Sequence, residues 1–253
     1  MTMANSSFTV VQITDMHYFA DSNGTLFDVN TAASLDRVIA SINASRVEPE
    51  FILATGDLVH DEGAPAYERL ARDLDALSAP IYGLAGNHDM AGAVSGRYNG
   101  RLTFPFRVQH RAWQFFLLNT QIDGEVGGRL SAQQLGDLNK ALAAHPGQHT
   151  IVCLHHQPVK IGSHWLDGIG LENPNELFTV IGRFTNVRAV IWGHIHQEWD
   201  EIRAGVRLLG SPSTCAQFLP KQEHFALDTK PPGWRWLRLF DDGTLETEVV
   251  WVD

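Results

Sequence analysis

The chain is poor in cysteine, short of positive charge and free of long apolar runs. Two cysteines in 253 residues, Cys153 and Cys215, are too few for a disulfide framework. Cys153 lies inside the apolar run Ile151-Val152-Cys153-Leu154, which points to a buried, inert thiol. No apolar stretch approaches the ~18 residues of a membrane span. Met1 to Ser7 has neither the basic stretch nor the apolar centre of a secretory signal. The expectation is a soluble, cytoplasmic protein with no membrane partner, whose sequons at Asn5, Asn23 and Asn43 are chance matches. Lys plus Arg number 19 against 29 Asp plus Glu, a net charge of −10. That balance disfavours a nucleic-acid partner, and an anionic substrate would have to meet a local positive charge.

Several catalytic motifs are also missing. There is no Gly-x-Ser-x-Gly elbow, no P-loop and no His-Glu-x-x-His. Gly168-Ile169-Gly170 begins like a dinucleotide fingerprint but continues with Leu171-Glu172-Asn173 and fails.

What is present is an ordinary globular composition, 44% hydrophobic and 19% charged, with a single domain over residues 1–253 as the simplest packing. Short β-branched runs alternate with helical patterns. Phe8 to Thr14, Phe51 to Gly56, Ile81 to Gly86, Trp113 to Thr120, Thr150 to His155, Val187 to Trp192 and Val206 to Gly210 read as strands. Leu35, Val38, Ile39 and Ile42 share one face of a helix from Thr31 to Ser45. Tyr67, Leu70, Leu74 and Leu77 do so from Ala64 to Ser78. Ser131 with Gln134, and Asn173 with Glu176, have capping-box spacing, and Pro174 suits a first helical position. From about residue 234, Trp234 to Phe240 and Leu245 to Trp251 flank Asp241-Asp242-Gly243-Thr244, a β-hairpin. The order predicts an α/β fold of two packed sheets with helices outside.

Ligands in such folds collect outside the carboxyl ends of strands. Five strands are followed there by Asp15-Met16-His17, Gly56-Asp57, Gly86-Asn87-His88-Asp89, His155-His156 and Gly193-His194-Ile195-His196. Read singly, Gly-Asp is a turn and a lone His is a surface or hydrogen-bonded core residue. Five such groups at the same end of successive strands need another explanation, because a packed core rejects unpaired polar groups. Carboxylate, amide and imidazole donors without thiolate suit iron(II), manganese or zinc. Asp-x-His and His-x-His place both side chains on one side of an extended segment, and Gly56, Gly86 and Gly193 let the backbone turn beneath an ion.

These motifs, spanning residues 15 to 196, resemble the calcineurin-like metallophosphoesterase superfamily. Val11 to His17, Val29-Asn30-Thr31, Leu154 to Pro158, Ser163 to Asp167, Gly193 to Glu198, Pro212 to Cys215, Leu227-Asp228-Thr229 and Pro232 to Arg235 are further similar to the class III cyclic nucleotide phosphodiesterases, bacterial 3′,5′-cyclic-AMP hydrolases among them. The resemblance implies a four-layer α-β-β-α sandwich of two mixed sheets flanked by helices. It implies two divalent ions per chain, iron or manganese favoured over zinc. Asp15, His17 and His196 would hold one ion, Asn87, His155 and His194 the other, and Asp57 would bridge them. A hydroxide between the ions would open 3′,5′-cyclic AMP to 5′-AMP, with His88 protonating the leaving oxygen and His17, Asp57, Asn87, His88 and His196 around the phosphate.

The neighbouring residues carry further expectations. Asp89 orients His88 or faces solvent. His156 turns to the opposite face, and His60, His110, His145, His149 and His224 are surface residues. His164 and Trp165, and Ser213 to Phe218, are candidates to line a nucleotide pocket; the alternative for the second segment is a loop bracing the metal ligands. A homodimer accords with the family. The rival readings are a broader phosphodiesterase acting on glycerophosphodiesters or 2′,3′-cyclic nucleotides, and a metal-free binding module of the same fold.

Overall fold

Apolar runs become strands and three- and four-residue spacings become helices in nearly the order expected. The computed structural model describes residues 6–60, 63–90, 92 and 100–253, so the sequon at Asn5 lies outside the described residues. The elements are β1 (Ser7–Ile13), β2 (Thr25–Leu26), β3 (Val29–Asn30), α1 (Thr31–Ala44), β4 (Pro49–Thr55), α2 (Ala64–Leu74), β5 (Ile81–Leu84), β6 (Leu102–Thr103), β7 (Arg107–His110) and β8 (Trp113–Leu117). They continue with α3 (Ala132–Ala144), β9 (His149–Cys153), α4 (His164–Asp167), α5 (Pro174–Ile181), β10 (Val187–Trp192), β11 (Trp199–Arg203), β12 (Val206–Gly210), β13 (Gly233–Phe240) and β14 (Leu245–Trp251).

Two six-stranded sheets result, ordered β14-β13-β1-β4-β5-β6 and β11-β12-β10-β9-β8-β7. Both are mixed. In the first, β1, β4, β5 and β6 run parallel and the β13–β14 hairpin pairs antiparallel against β1. In the second, β8, β9, β10 and β12 run parallel, with β7 and β11 antiparallel at the edges.

Three apolar cores define four layers. Leu35, Val38, Ile42, Tyr67 and Leu70 of α1 and α2 pack on Val11, Ile13 and Ile52 of the first sheet. Phe8, Phe51, Phe115, Ile151 and Leu237 fill the space between the sheets; the Phe51 and Phe115 rings meet at 89° with centroids 4.9 Å apart, an edge-to-face geometry that favours aromatic pairs. Leu138, Leu142, Leu177 and Ile181 of α3 and α5 cover Val152 and Val190 of the second sheet. This is the expected α-β-β-α sandwich.

A buried polar chain pins the two sheets together. Gln12 of β1 donates to Thr55 Oγ1 (2.9 Å) and Trp192 O (3.1 Å), and accepts from Ser211 Oγ (2.7 Å). Arg235 of β13, 1% exposed, donates to Ser211 Oγ (3.0 Å), Gly210 O (2.9 Å), Thr247 Oγ1 (3.1 Å) and Trp199 O (3.4 Å). These bonds sit at the strand ends that carry the candidate ligands and fix one sheet relative to the other there.

Local departures have physical causes. Ser131 caps α3 by accepting from Gln134 N (3.1 Å), but the Gln134 side chain turns back to bond Asn119 at both its N–H and its carbonyl. Asn173 makes no side-chain cap; its amide clamps the backbone of Leu130 at 2.9–3.0 Å. The strand β11 escapes the apolar pattern because Asp200, Glu201 and Ile202 face solvent on an edge. His110 packs on Phe8 (4.5 Å) and His149 on Trp113 (5.3 Å), so neither is the surface residue expected. Among the described residues, no helix is long and apolar enough to cross a membrane.

Candidate metal centre

Carboxyl ends of five parallel strands meet at one place, β1, β4 and β5 from the first sheet and β9 and β10 from the second. They deliver Asp15 and His17, Asp57, Asn87 and His88, His155, and His194 and His196. Asp15, His17, Asp57, His155, His194 and His196 are all buried. Beyond β1 and β4 the main chains stay paired, Asp15 N donating to Gly56 O (3.0 Å) and His17 N to Asp57 O (2.9 Å).

The ligand segments are not extended, contrary to expectation. Asp15, His17, Asp57, His194 and His196 all hold positive φ, between 44° and 65°. Such left-handed backbone is costly for residues with a Cβ and persists where surrounding bonds enforce it. Here the enforcing bonds include Ser213 Oγ to Asp15 O (2.7 Å) and His194 N to both Asp15 carboxylate oxygens (3.0 Å each). The role of Gly86 and Gly193 is close approach rather than turning. A Cβ at Gly86 would overlap Asp57 Oδ1, and one at Gly193 would overlap Thr14 Oγ1 and crowd Asp15 Oδ2.

Donor atoms converge in two linked groups. In the first, His196 Nε2 lies 3.2 Å from His17 Nε2 and 3.4 Å from Asp15 Oδ1. In the second, His155 Nε2 lies 3.1 Å from Asn87 Oδ1, and the His155 and His194 rings are 5.1 Å apart. Asp57 Oδ2 stands between them, 3.3 Å from His155 Nε2 and 3.7 Å from His17 Nε2.

Whether these residues suit cations is tested by their other bonds. Nδ1 of His155 donates to Thr55 O (2.9 Å) and Nδ1 of His196 to Ala216 O (2.7 Å). With Nδ1 so committed, Nε2 turns a lone pair to the centre, the usual arrangement of metal-binding histidines. His194 Nε2 is buried with no hydrogen-bond partner, a costly state for a polar atom unless it is ligated. The groups Asp15-His17-His196 and Asp15-Asp57-His155 each bring their donors within 4.8 Å of one another. The oxygen and nitrogen donor set therefore fits a dinuclear metal centre.

Electrostatics agree with that fit at His17, His194 and Asp57, while the extra proton that Asp57 favours on His155 is one that a bound cation would displace. Burial lowers the pKa of His17 and of His194 well below the usual imidazole range, keeping both neutral. Burial would raise the Asp57 carboxyl, but His155 and His17 beside it bring it well below the usual carboxylate range. Burial opposes charge on His155, and the Asp57 carboxylate overrides it, lifting the pKa to about 9.

Other expectations sort themselves around this centre. Asp89 does not orient His88. Its buried carboxylate accepts from Gly86 N (2.8 Å), Leu58 N (3.2 Å) and Tyr67 Oη (2.7 Å), and so ties the His88 loop to the Asp57 loop. Burial and the nearby Asp57 charge raise its pKa to about 6. His156 accepts from Thr120 Oγ1 (2.7 Å) and donates to Val126 O (3.0 Å), so it packs behind the donors. His60, expected at the surface, is half-buried, with Nδ1 3.1 Å from His17 Nδ1 and its ring stacked on His88 at 4.6 Å. Only its place three residues beyond Asp57 hinted at this.

A cavity of about 340 Å³ opens over the donors, lined by His17, Asp57, Asn87, His88, His194 and His196 on one side. Leu26, Phe27, Trp165, Ile169, Phe218 and Phe225 line the other. Trp165 and Phe218 were candidates for this wall. His164 instead points outward, 78% exposed, and pairs with Glu223 at 3.5 Å. Ser213 and Ala216 brace Asp15 and His196 from behind.

Comparison with known proteins places this geometry. The family description "Calcineurin-like phosphoesterase" matches residues 8–198. The chain is 41% identical over 249 residues to a 3′,5′-cyclic adenosine monophosphate phosphodiesterase CpdA of Pseudomonas aeruginosa, covering 98% of this chain and 92% of that one. It is 42% identical over 242 residues to the protein of the same description in Escherichia coli, covering 95% and 88%. A solved dimetal phosphatase from Danio rerio superposes with a TM-score of 0.65 at 14% identity, over 97% of this chain and 99% of that one, a likeness of fold.

Proposed function

The chain belongs to the calcineurin-like phosphoesterase family, and from that premise we propose that it is a metal-dependent phosphodiesterase that hydrolyses 3′,5′-cyclic AMP to 5′-AMP. The observation that carries the reading is the pair of histidines His155 and His196, each with Nδ1 held by a backbone carbonyl and Nε2 turned to the shared carboxylates.

Asp15, His17 and His196 would hold one ion, Asn87, His155 and His194 the other, and Asp57 would contribute to both. Two bound divalent ions would supply Lewis acidity toward the phosphate and a water acidified toward neutrality. Iron(II), manganese and zinc all suit the donors, and the family resemblance favours iron or manganese. Two carboxylates facing two dications would leave the site net positive. That answers how a chain of net charge −10 can take an anionic diester.

His88 holds a proton for the departing 3′-oxygen. Its backbone N–H donates to Asp57 Oδ1 (2.9 Å), which ties the position of the acid to that of the bridging carboxylate. Its ring, 5.0 Å from His17 and stacked on His60, lines the cavity where the phosphate would lie, among His17, Asp57, Asn87 and His196. A cytoplasmic location and a homodimer belong to the same proposal, open to cell fractionation and light scattering.

The test is a substrate panel on metal-reconstituted protein: 3′,5′-cyclic AMP, 3′,5′-cyclic GMP, 2′,3′-cyclic AMP, glycerophosphocholine and bis(p-nitrophenyl) phosphate. The reading expects cyclic AMP to be turned over to 5′-AMP at the highest kcat/KM. Release of 3′-AMP, or no action on cyclic AMP, overturns it.

A further inference from the structure

Four aromatic rings gather on the side of the cavity away from the metal ligands. Phe218 stacks on His196 at 4.0 Å and 8°. Trp165 meets Phe218 at 5.1 Å and Phe225 at 5.3 Å, both edge to face, and Phe225 meets Phe27 at 5.2 Å. Phe27 and Phe225 are nevertheless 41% and 47% exposed, which is unusual for rings with so much apolar company.

Phe27 is held at a backbone cost. It and Asp28 are the two loop residues of the β2–β3 hairpin, with φ of 50° and 64°. Both central residues of such a turn are left-handed, where Asn-Gly or Asp-Gly fits best and a bulky aromatic is an outlier. A strained residue whose ring stays exposed over a cavity points to a ligand.

Main-chain bonds fix the rest of the wall. Phe218 and Phe225 lie on opposite arms of a loop closed by Leu219 N to Ala226 O (2.8 Å). The loop is tied to α4 by His164 N to Gln222 O (3.0 Å) and Lys221 N to Ser163 Oγ (2.9 Å).

We infer that Phe27 and Phe225, backed by Trp165 and Phe218, form a stacking wall that recognises the purine base of the nucleotide. The inference rests on the proposed cyclic nucleotide activity and names what selects the substrate there. Phe218 links the two functions, since it lies flat on a proposed metal ligand at one end of the wall. The rings meet one another along the cavity wall, so a flat base can lie against them. Among the described residues, the remaining lining away from the proposed metal ligands, Leu26, Val126, Leu166 and Ile169, is apolar. Selection is thus by stacking area, purine over pyrimidine and nucleotide over bare sugar phosphate.

The test uses metal-loaded native protein, Phe225→Ala and Phe27→Asn, titrated by calorimetry with 5′-AMP, ribose 5-phosphate and glycerophosphocholine. Native protein should bind 5′-AMP about tenfold more tightly than ribose 5-phosphate, within the range for base–aromatic stacking. Each variant should lose most of that factor while keeping its affinity for ribose 5-phosphate and its metal content. Phe27→Asn should melt no lower than native, because it relieves a left-handed phenylalanine; a purely structural ring would lower the melting temperature. Equal native affinity for the two phosphates overturns the wall, as does a preference that survives both substitutions. Ring-dependent binding of glycerophosphocholine as tight as that of 5′-AMP does so too. Cyclic AMP turnover is read separately. No turnover with ring-dependent 5′-AMP binding defeats the proposed activity and leaves the wall standing; turnover with native-like variants does the reverse.

Discussion

Replacing Gly86 with alanine adds a single methyl carbon where the structure has no room for it. That carbon would overlap Asp57 Oδ1 and the Asp57 backbone nitrogen and come within 2.7 Å of His155 Cε1. Gly86 does not hold a left-handed conformation, so the substitution tests space and not backbone strain. The Asp57 main chain is held by His17 N to Asp57 O (2.9 Å), so the carboxylate proposed to bridge two ions must move. Overpacking of this kind costs about 1–3 kcal/mol, and a chain of this size loses about 2–4 °C in Tm for each kcal/mol. A shift of about 1 Å in a positioning group lowers turnover by about 10²-fold. The control is Gly136→Ala in α3, where a Cβ meets nothing within 4 Å. It should gain about 0.8–1 kcal/mol from helix propensity alone and leave activity unchanged. Both variants would be followed by thermal melting, metal titration and kcat/KM on cyclic AMP. Gly86→Ala with native metal affinity and native turnover would refute the reasoning.

Three further outcomes follow from the same geometry. His88→Ala should keep both metals while kcat on cyclic AMP falls by about 10²-fold or more; full activity removes His88 from the chemistry. Asp57→Ala should lose at least one ion by elemental analysis, and two ions still bound would contradict the bridge. Gln12→Leu should lower the free energy of unfolding in urea by about 2 kcal/mol, because it leaves the Ser211 hydroxyl proton without its acceptor and Thr55 Oγ1 without its donor in the interior; unchanged stability would mean the polar chain does not hold the sheets.

The sandwich was legible because strand and helix periods alternate cleanly, and the site because ligand types recur at strand ends. Asp15, Asp57 and His155 could be placed from order alone, since each follows an apolar run that must be a buried strand. What escaped the sequence was three-dimensional reciprocity. The left-handed backbone of His17 and His196 depends on bonds from segments far along the chain. Asp89 joins two loops through backbone amides that no spacing rule identifies. His60 and Phe27 come to the cavity through a turn and a hairpin whose residue types do not announce them. Asn173 looked like a helix cap and spends its amide on Leu130, because a tertiary partner outcompeted the local one.

The central claim is that converging side chains bind two cations which, with His88, cleave the diester. Metal content and cyclic AMP hydrolysis should be measured on the same samples as a chelator strips the protein and manganese or iron(II) restores it. The account predicts two ions per chain at full activity, loss of activity in step with the ions, and recovery on their return. Full hydrolysis by protein shown to be free of metal would contradict it.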